Sequence, residues 1–148
     1  MGAGCGLGQA NGFGAGHGLG DVPVGAVVFG PDGLIIGRGI NQRETLADPV
    51  AHAEIVALRA ASSKLGRWRL DGCSLVVTLE PCAMCAGALI AARIDRLIFG
   101  AWDAKAGACG SVWDLPRDRA SPHHPEVTGG VMAQACGALL TEFFASRR

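Results

Sequence analysis

Two short segments of the chain contain the residue types of a metal site. One is His52-Ala53-Glu54 and the other is Pro81-Cys82-Ala83-Met84-Cys85. Cys82 and Cys85 are three residues apart, so on a helix both sulfurs project from one face of its first turn. The positive end of the helix dipole at that turn favours thiolate over thiol, and thiolates bind metal ions. The spacing therefore predicts that the two cysteines hold a metal together.

His52 would add a third ligand of a type that zinc accepts. A structural zinc site needs a fourth Cys or His, whereas a catalytic site keeps the fourth position for water. The other cysteines and histidines, which lie in no paired motif, are Cys5, Cys73, Cys109, Cys136, His17, His123 and His124. We interpret them as small buried apolar groups or loop residues. Three ligands indicate a catalytic zinc, and Glu54, two residues after His52, is placed to act on the water.

Each motif alone has a simpler interpretation. A Cys-x-x-Cys pair also fits a structural zinc knuckle or a redox pair, and a His-x-Glu triplet arises by chance in many helices. Their combination is more specific, because each begins a predicted helix and a predicted strand separates them. A non-catalytic, zinc-stabilised binding module remains an alternative, although it would leave Glu54 without a role.

The elements that position these motifs follow one another regularly from Asp21. Two apolar, β-branched runs, Val22–Phe29 and Leu34–Ile40, flank the turn signal Pro31-Asp32-Gly33 and predict a β-hairpin. The further predicted elements are a helix from Asp48 to about Lys64, a strand over Ser74–Thr78, a helix from Pro81 to about Ala92, strands over Arg96–Ala101 and Glu126–Thr128, and a helix over Val131–Ser146. We expect Asp48 to cap the first helix and Gly66 to end it. This order predicts an α/β sandwich with a mixed sheet.

Composition excludes several classes of protein. The 148 residues include 13 Lys+Arg and 13 Asp+Glu, which gives a net charge of zero and argues against nucleic-acid binding by bulk charge. Hydrophobic residues make up 49% of the chain and suffice for a packed core. The longest apolar run, Cys82 to Ala92, is shorter than the ~18–20 residues of a membrane span. The N-terminus has no secretory pattern, so we expect a cytoplasmic protein.

Glycine is concentrated at the start of the chain. The sequence has 23 glycines, and residues 1–20 are rich in them and contain no charged residue. No window there matches the phosphate-binding pattern G-x-G-x-x-G. Each glycine inside a helix costs about 1 kcal/mol relative to alanine, which disfavours a helix in this segment. We expect residues 1–20 to be a weakly ordered, non-catalytic lead segment and residues 21–148 to be a single domain.

The pattern H-x-E…P-C-x-x-C resembles the signature of zinc-dependent cytidine and purine deaminases. Within that superfamily the chain most resembles the bacterial tRNA-specific adenosine deaminases. The stretches that carry the resemblance are Asp21–Val27, Asp48–Ile55, Thr78–Ala88, Phe99–Ser111 and Phe143–Arg148. The resemblance implies a cytidine deaminase-like, three-layer α/β/α sandwich with a five-stranded mixed sheet, and a homodimer.

The resemblance also implies a reaction, the hydrolytic deamination of the wobble adenosine, position 34 of a tRNA anticodon, to inosine. One Zn²⁺ per subunit, held by His52, Cys82 and Cys85, would lower the pKa of a water molecule from ~15.7 toward ~7. Glu54 would carry the protons between that water, the base and the leaving amine. The alternative is the same zinc chemistry on a free base or nucleoside such as guanine or cytosine.

Substrate contacts follow from the same resemblance. The residues that it assigns to the tRNA anticodon loop are Asn41, Asp103, Lys105, Phe143, Phe144, Arg147 and Arg148. The two phenylalanines would stack on bases and the two arginines would contact phosphates. Simpler interpretations stay open: an ordinary turn asparagine, a solvated Asp103–Lys105 pair, and one of the phenylalanines in the core.

Overall fold

The computed structural model describes residues 20–146. In these residues the strands are β1 Gly25–Phe29, β2 Ile35–Ile40, β3 Ser74–Leu79, β4 Arg96–Ala101 and β5 Glu126–Thr128. The helices are α1 Arg43–Leu46, α2 Ala53–Leu65, α3 Ala83–Ala91 and α4 Ala133–Ala145, with a 3₁₀ turn at Leu115–Arg117. Cys5, His17, Arg147, Arg148 and all of the predicted lead segment except Gly20 lie outside the described residues. No helix within 20–146 has the length and apolar character to cross a membrane.

The strands form one mixed sheet in the order β2-β1-β3-β4-β5. β1 is antiparallel to both β2 and β3, whereas β3, β4 and β5 are parallel to one another. As a result, β2, β3, β4 and β5 all end at the same edge of the sheet, and β1 begins there. We call this the site edge, because it gathers the segments that follow four strands and the segment that precedes β1.

Helices pack on both faces of the sheet. On one face α2 lies against β2, where a Cβ at Gly37 would overlap the carbonyl oxygen of Ala57 and one at Gly39 would overlap that of Ala53. On the other face Cys136 of α4 lies against Gly100 of β4. This arrangement confirms the predicted three-layer sandwich with a five-stranded mixed sheet.

The main core lies between the sheet and the helices α2 and α3. Its fully buried side chains include Val28, Leu75, Val77, Leu97 and Phe99 from the strands and Ala57 and Leu89 from the helices. Alanines on α2 and glycines on β2 make this a close contact, so the start of α2 is held firmly against the end of β2.

Two helix starts differ from the prediction. The helix predicted from Asp48 begins at Ala53, because the Asp48 carboxylate accepts a hydrogen bond from the Val50 amide, 3.0 Å away, and closes a turn. The helix predicted from Pro81 begins at Ala83, because the Pro81 carbonyl accepts a hydrogen bond from Ala108 in a distant loop, at 2.8 Å. The predicted stop of α2 at Gly66 is confirmed by its left-handed φ of 68°.

The short helix α1 was not predicted, because the residue that caps it, Asp21, is distant in the sequence. The buried carboxylate of Asp21 accepts hydrogen bonds from the amides of Glu44, at 2.6 Å, and Thr45, at 3.3 Å, and from the Thr45 hydroxyl. Asp21 therefore caps a helix more than twenty residues along the chain. A local pattern around Arg43–Leu46 contains no sign of this contact.

We predict that Gly39→Ala lowers the free energy of unfolding by about 1–3 kcal/mol, because the added methyl group overlaps the α2 backbone. The matched control is Gly87→Ala in α3, where a Cβ meets nothing within 4 Å. Because alanine has the higher helix propensity, Gly87→Ala should raise the free energy of unfolding by up to about 1 kcal/mol. Urea unfolding followed by circular dichroism measures both. Equal midpoints for Gly39→Ala and the wild type would contradict the close packing of α2 on β2.

Candidate active site

The helices α2 and α3 both begin at the site edge, so the His52-Ala53-Glu54 segment lies close to the segment that contains Cys82 and Cys85. His52 is the N-cap residue of α2, and Glu54 is in its first turn. Cys82 is the N-cap residue of α3, and Cys85 is in its first turn. Because β3 leads directly into α3, and α2 starts beside the end of β2, all four side chains approach one another at this edge.

The ligand atoms have the spacing that zinc requires. The Nδ1 atom of His52 lies 3.7 Å from the Cys82 sulfur and 3.6 Å from the Cys85 sulfur. In tetrahedral zinc sites, bonds of about 2.3 Å to sulfur and about 2.1 Å to nitrogen place such atoms about 3.6 Å apart. In residues 20–146 this trio is the only group of three or more His, Cys, Asp or Glu residues placed to hold a metal ion. The donor set and its spacing therefore fit Zn²⁺.

The two cysteine sulfurs differ in acidity because they are hydrogen-bonded to each other. A hydrogen bond from the Cys85 thiol lowers the pKa of Cys82 to about 3, and the same bond raises the pKa of Cys85. Zinc binds cysteine as thiolate, so it would displace the remaining proton. The N-terminus of α3, whose dipole is positive at that end, favours both thiolates.

Glu54 lies beside these three residues and is almost completely buried. Its side chain is 4% exposed, and this burial raises its pKa to about 7. A proton carrier works best when its pKa is close to the operating pH. Glu54 can therefore both accept and release a proton near neutrality, next to the place where the metal would bind.

Glu54, His52 and Cys82 line a cavity of about 230 Å³ at the site edge. Drug-sized ligands occupy about 300–1,000 Å³, so this cavity suits something smaller, such as a single nucleobase. The other residues that line it are Val22, Val24, Asn41, Arg43, Ala53, Leu79, Glu80, Asp103 and Ala106. The wall is apolar just before β1 and at the end of β3, and it is polar in the segments that follow β2 and β4.

Two of the predicted substrate residues lie in this wall. The Asn41 side chain accepts a hydrogen bond from the Arg43 amide, at 3.3 Å, and donates one to the Val22 carbonyl, at 3.2 Å. The Asp103 carboxylate accepts hydrogen bonds from the amides of Lys105, at 3.0 Å, and Ala106, at 3.1 Å. Both side chains are therefore held in place by their own loops before any ligand binds.

The other predicted contacts lie outside the cavity wall. Lys105 is exposed in the loop after β4. Phe143 and Phe144 are at the end of α4, with ring centroids 5.2 Å apart in an edge-to-face arrangement. Phe143 is partly buried and Phe144 is exposed.

Comparison with known proteins identifies the family. Residues 15–101 match the model of the cytidine and deoxycytidylate deaminase zinc-binding region. The chain belongs to this family. The matched region contains His52, Glu54, Cys82 and Cys85, so the family relationship and the geometry of the cluster agree.

Two bacterial proteins that act on tRNA are similar to this chain in sequence. The chain is 52% identical over 128 residues to the tRNA(Ile)-lysidine synthase of Deinococcus deserti, but it spans only 24% of that protein's length. It is 44% identical over 129 residues to the tRNA-specific adenosine deaminase of Bacillus subtilis, covering 87% of this chain and 80% of that protein.

Two solved structures of deaminases are similar to this protein in fold and in sequence. One, from studies of A-to-I editing by tRNA:A34 deaminases at the wobble position of transfer RNA, superposes with a TM-score of 0.81 at 41% identity, covering 86% of this chain and 92% of that one. The guanine deaminase of Nitrosomonas europaea superposes with a TM-score of 0.73 at 34% identity, covering 88% and 78%.

Sequence reasoning missed two charged residues of the cavity wall, Arg43 and Glu80. Arg43 is the exposed cation at the start of α1. Glu80 follows β3 and is 2% exposed, and its position between an apolar strand and Pro81 is the only sequence signal of its role. A charged residue buried to this extent needs several hydrogen-bond partners.

Glu80 finds those partners in the loop after β4. Its carboxylate accepts hydrogen bonds from the amides of Asp103 at 2.9 Å, Cys109 at 3.0 Å and Ser111 at 3.0 Å, and from the Ser111 hydroxyl. Burial raises the pKa of Glu80, but these hydrogen bonds together outweigh it and hold the pKa below its usual value. The charged carboxylate therefore anchors the loop that carries Asp103.

We predict that Glu80→Gln lowers the free energy of unfolding by about 1–3 kcal/mol at pH 7, because an amide cannot accept all four bonds and its NH₂ group would face donors. Since the folded pKa is depressed, the carboxylate stabilises the fold above its unfolded pKa of ~4.3 and loses this effect as the pH falls further. The difference between the two proteins in urea unfolding should therefore shrink toward pH 3.

The control is Glu126→Gln, which changes an exposed carboxylate on β5. It should leave stability nearly unchanged at pH 7. Hydrogen exchange should also speed up at the amides of Asp103, Cys109 and Ser111 in Glu80→Gln alone. Unchanged exchange at these three amides would show that Glu80 does not anchor the loop.

Proposed function

We propose that this protein deaminates the wobble adenosine, position 34 of a tRNA anticodon, to inosine by hydrolysis. The observation that carries the proposal is the His52–Cys82–Cys85 cluster with Glu54 buried beside it, in a cavity the size of one base. The similarity to tRNA-specific adenosine deaminases over most of both chains supports the choice of substrate.

In this proposal His52, Cys82 and Cys85 are the zinc ligands, with one Zn²⁺ per subunit. When bound, zinc supplies the acidity that provides hydroxide from water near neutral pH. Glu54 takes up a proton from the water and delivers protons to the ring nitrogen of adenine and to the departing amine. Water is consumed and ammonia leaves, so that inosine remains. The pKa of about 7 at Glu54 suits both halves of this transfer.

The proposed substrate contacts are Asn41, Asp103, Lys105, Phe143, Phe144, Arg147 and Arg148. Asn41 and Asp103 are in the cavity wall and would meet the extruded nucleotide. Lys105 and Phe144 are exposed, as residues that meet the surrounding loop must be. Recognition of splayed single-stranded RNA needs local contacts of this kind and no overall positive charge, which agrees with the net charge of zero.

We also propose that residues 21–148 form a single deaminase domain, and that the protein is a cytoplasmic homodimer. One sheet and one main core extend through the described part of this range, which supports a single domain. The resemblance of the chain to bacterial tRNA-specific adenosine deaminases supports the dimer. The cytoplasm is where a tRNA substrate is found.

The direct test is inosine formation by zinc-loaded protein from an anticodon stem-loop with adenosine at position 34. Free adenosine, guanine and cytosine are assayed in parallel. We expect conversion of the stem-loop and none of the free compounds, because the RNA loop supplies contacts outside the cavity. A stem-loop with guanosine at position 34 controls for other sources of inosine.

Guanine deamination is the second candidate, favoured by the similarity to the Nitrosomonas europaea enzyme. Conversion of free guanine with no reaction of the stem-loop would replace the tRNA proposal by this one. The zinc ligands and the role of Glu54 would be unchanged, because both reactions use the same hydrolytic chemistry.

We predict that Glu54→Gln retains zinc but loses turnover by about 10²–10⁴-fold, the usual contribution of a positioned proton carrier. Metal analysis and inosine formation measure the two effects separately. Glu126→Gln is the matched control and should keep both zinc and activity. Loss of zinc from Glu54→Gln would mean that Glu54 supports the metal site itself, and full activity would exclude it as the proton carrier.

A further inference from the structure

Trp102 follows β4 directly at the site edge, and more than half of its surface is open to solvent. The exposed fraction is 53%, which is high for the largest apolar side chain. The next residue, Asp103, lines the site cavity. Trp102 is therefore one residue from the cavity wall, and the proposed substrate contacts do not include it.

The indole of Trp102 is held in place on one side. Its ring meets the buried ring of Phe99 edge to face, with centroids 4.8 Å apart and planes at 89°. Three glycines flank it, since a Cβ would come within 3.2 Å of the indole at Gly110, 2.8 Å at Gly129 and 3.1 Å at Gly130. Ordinary side chains at these positions would crowd the ring, so the glycines leave the space that the indole occupies.

A fixed and exposed indole is suited to stacking. Because its orientation is already set by Phe99, little conformational entropy is lost when another ring packs on its open surface. An enzyme that acts on one base of an RNA loop must extrude that base, which removes the stacking partner of its neighbours. Unpaired RNA bases commonly stack on aromatic side chains.

We propose that Trp102 is a stacking platform for an unpaired base next to the extruded nucleotide of the RNA substrate. The proposal rests on the proposed function and adds a binding subsite outside the cavity. Its ligand is the ring of one nucleobase, either on the 5′ or on the 3′ side of position 34. Stacking is tolerant of base identity, so Trp102 would contribute affinity and not discriminate among the four bases.

The other exposed tryptophans allow a matched control. Trp68 is 62% exposed and packs with the guanidinium groups of Arg69, 5.6 Å from its ring centroid, and Arg93, at 6.0 Å. It follows the C-terminal end of α2, whereas α2 begins at the site edge, so Trp68 is at the far end of the fold. Trp113 is in the loop beyond Gly110, close to Trp102, and is therefore unsuitable as a control.

The first experiment measures steady-state kinetics of Trp102→Ala, Trp102→Phe and Trp68→Ala on the anticodon stem-loop. Trp102→Ala should raise KM about 5- to 150-fold, the range for one lost base stack, with a smaller change in kcat. Trp102→Phe should recover most of the loss because it keeps an aromatic face. Trp68→Ala should behave as wild type. Zinc content and melting temperature identify any variant that fails to fold.

The second experiment uses stem-loops with an abasic site at position 33 or 35. For wild type, removing the base that stacks on Trp102 should raise KM about as much as Trp102→Ala does. For Trp102→Ala, the same RNA should cause no further loss, because the two changes remove one contact. Independent, multiplying effects at both positions would overturn the proposal.

A third measurement requires no variant of Trp102. The chain has three tryptophans, so Trp68→Phe with Trp113→Phe leaves Trp102 as the single fluorophore. Addition of the stem-loop should quench its emission, and the RNA abasic at the stacking position should quench less. Normal stem-loop conversion without quenching, and with an unchanged KM in Trp102→Ala, would overturn the stacking site while leaving the proposed function intact. A wild-type protein that forms no inosine would contradict the proposed function itself.

Discussion

The site depends on one geometric constraint, that α2 and α3 both begin at the same edge of the sheet. Only this arrangement brings His52 Nδ1 within 3.7 Å of the Cys82 sulfur and 3.6 Å of the Cys85 sulfur. The constraint is met by strand order, because β3 leads directly into α3 at its carboxyl end, and by the close packing of α2 on glycines of β2. Ligands of α/β sheets commonly bind at the carboxyl ends of the strands for the same reason.

Buried carboxylates hold the segments around this edge. Asp21 caps α1, and Glu80 anchors the loop after β4, each through hydrogen bonds to backbone amides. Burying a carboxylate costs free energy unless its oxygens accept hydrogen bonds. Each of these carboxylates therefore stabilises the fold only when the neighbouring backbone folds around it. The cavity wall is therefore shaped by groups that never need to touch the substrate.

Burial has a different consequence for Glu54, because it raises the pKa of the carboxyl group. Its side chain is almost fully buried, and this burial raises its pKa to about 7, a value that suits the proposed proton transfer. The chemistry common to this family of deaminases would be concentrated in Glu54 and the three ligand residues. The substrate would be chosen by the wall of the cavity, where Asn41, Arg43 and Asp103 lie.

The sequence by itself determined the features that depend on local spacing. Cys82 and Cys85 are one helical turn apart, the hairpin is signalled by Pro31-Asp32-Gly33, and Gly66 ends α2, all within a few residues. The chemistry of the metal site and the order of the main elements could therefore be predicted. The resemblance to known deaminases added the five-stranded sheet, which the structure confirms.

Only the tertiary structure decided which residues surround that site. The start of α2 at Ala53 instead of Asp48, the existence of α1 and the anchoring role of Glu80 all depend on partners elsewhere in the chain. The same is true of the fixed indole of Trp102, whose neighbouring glycines lie further along its own loop, at Gly110, and after β5, at Gly129 and Gly130. Hydrogen bonds and packing between distant segments form only when the chain is folded, and no local pattern contains them.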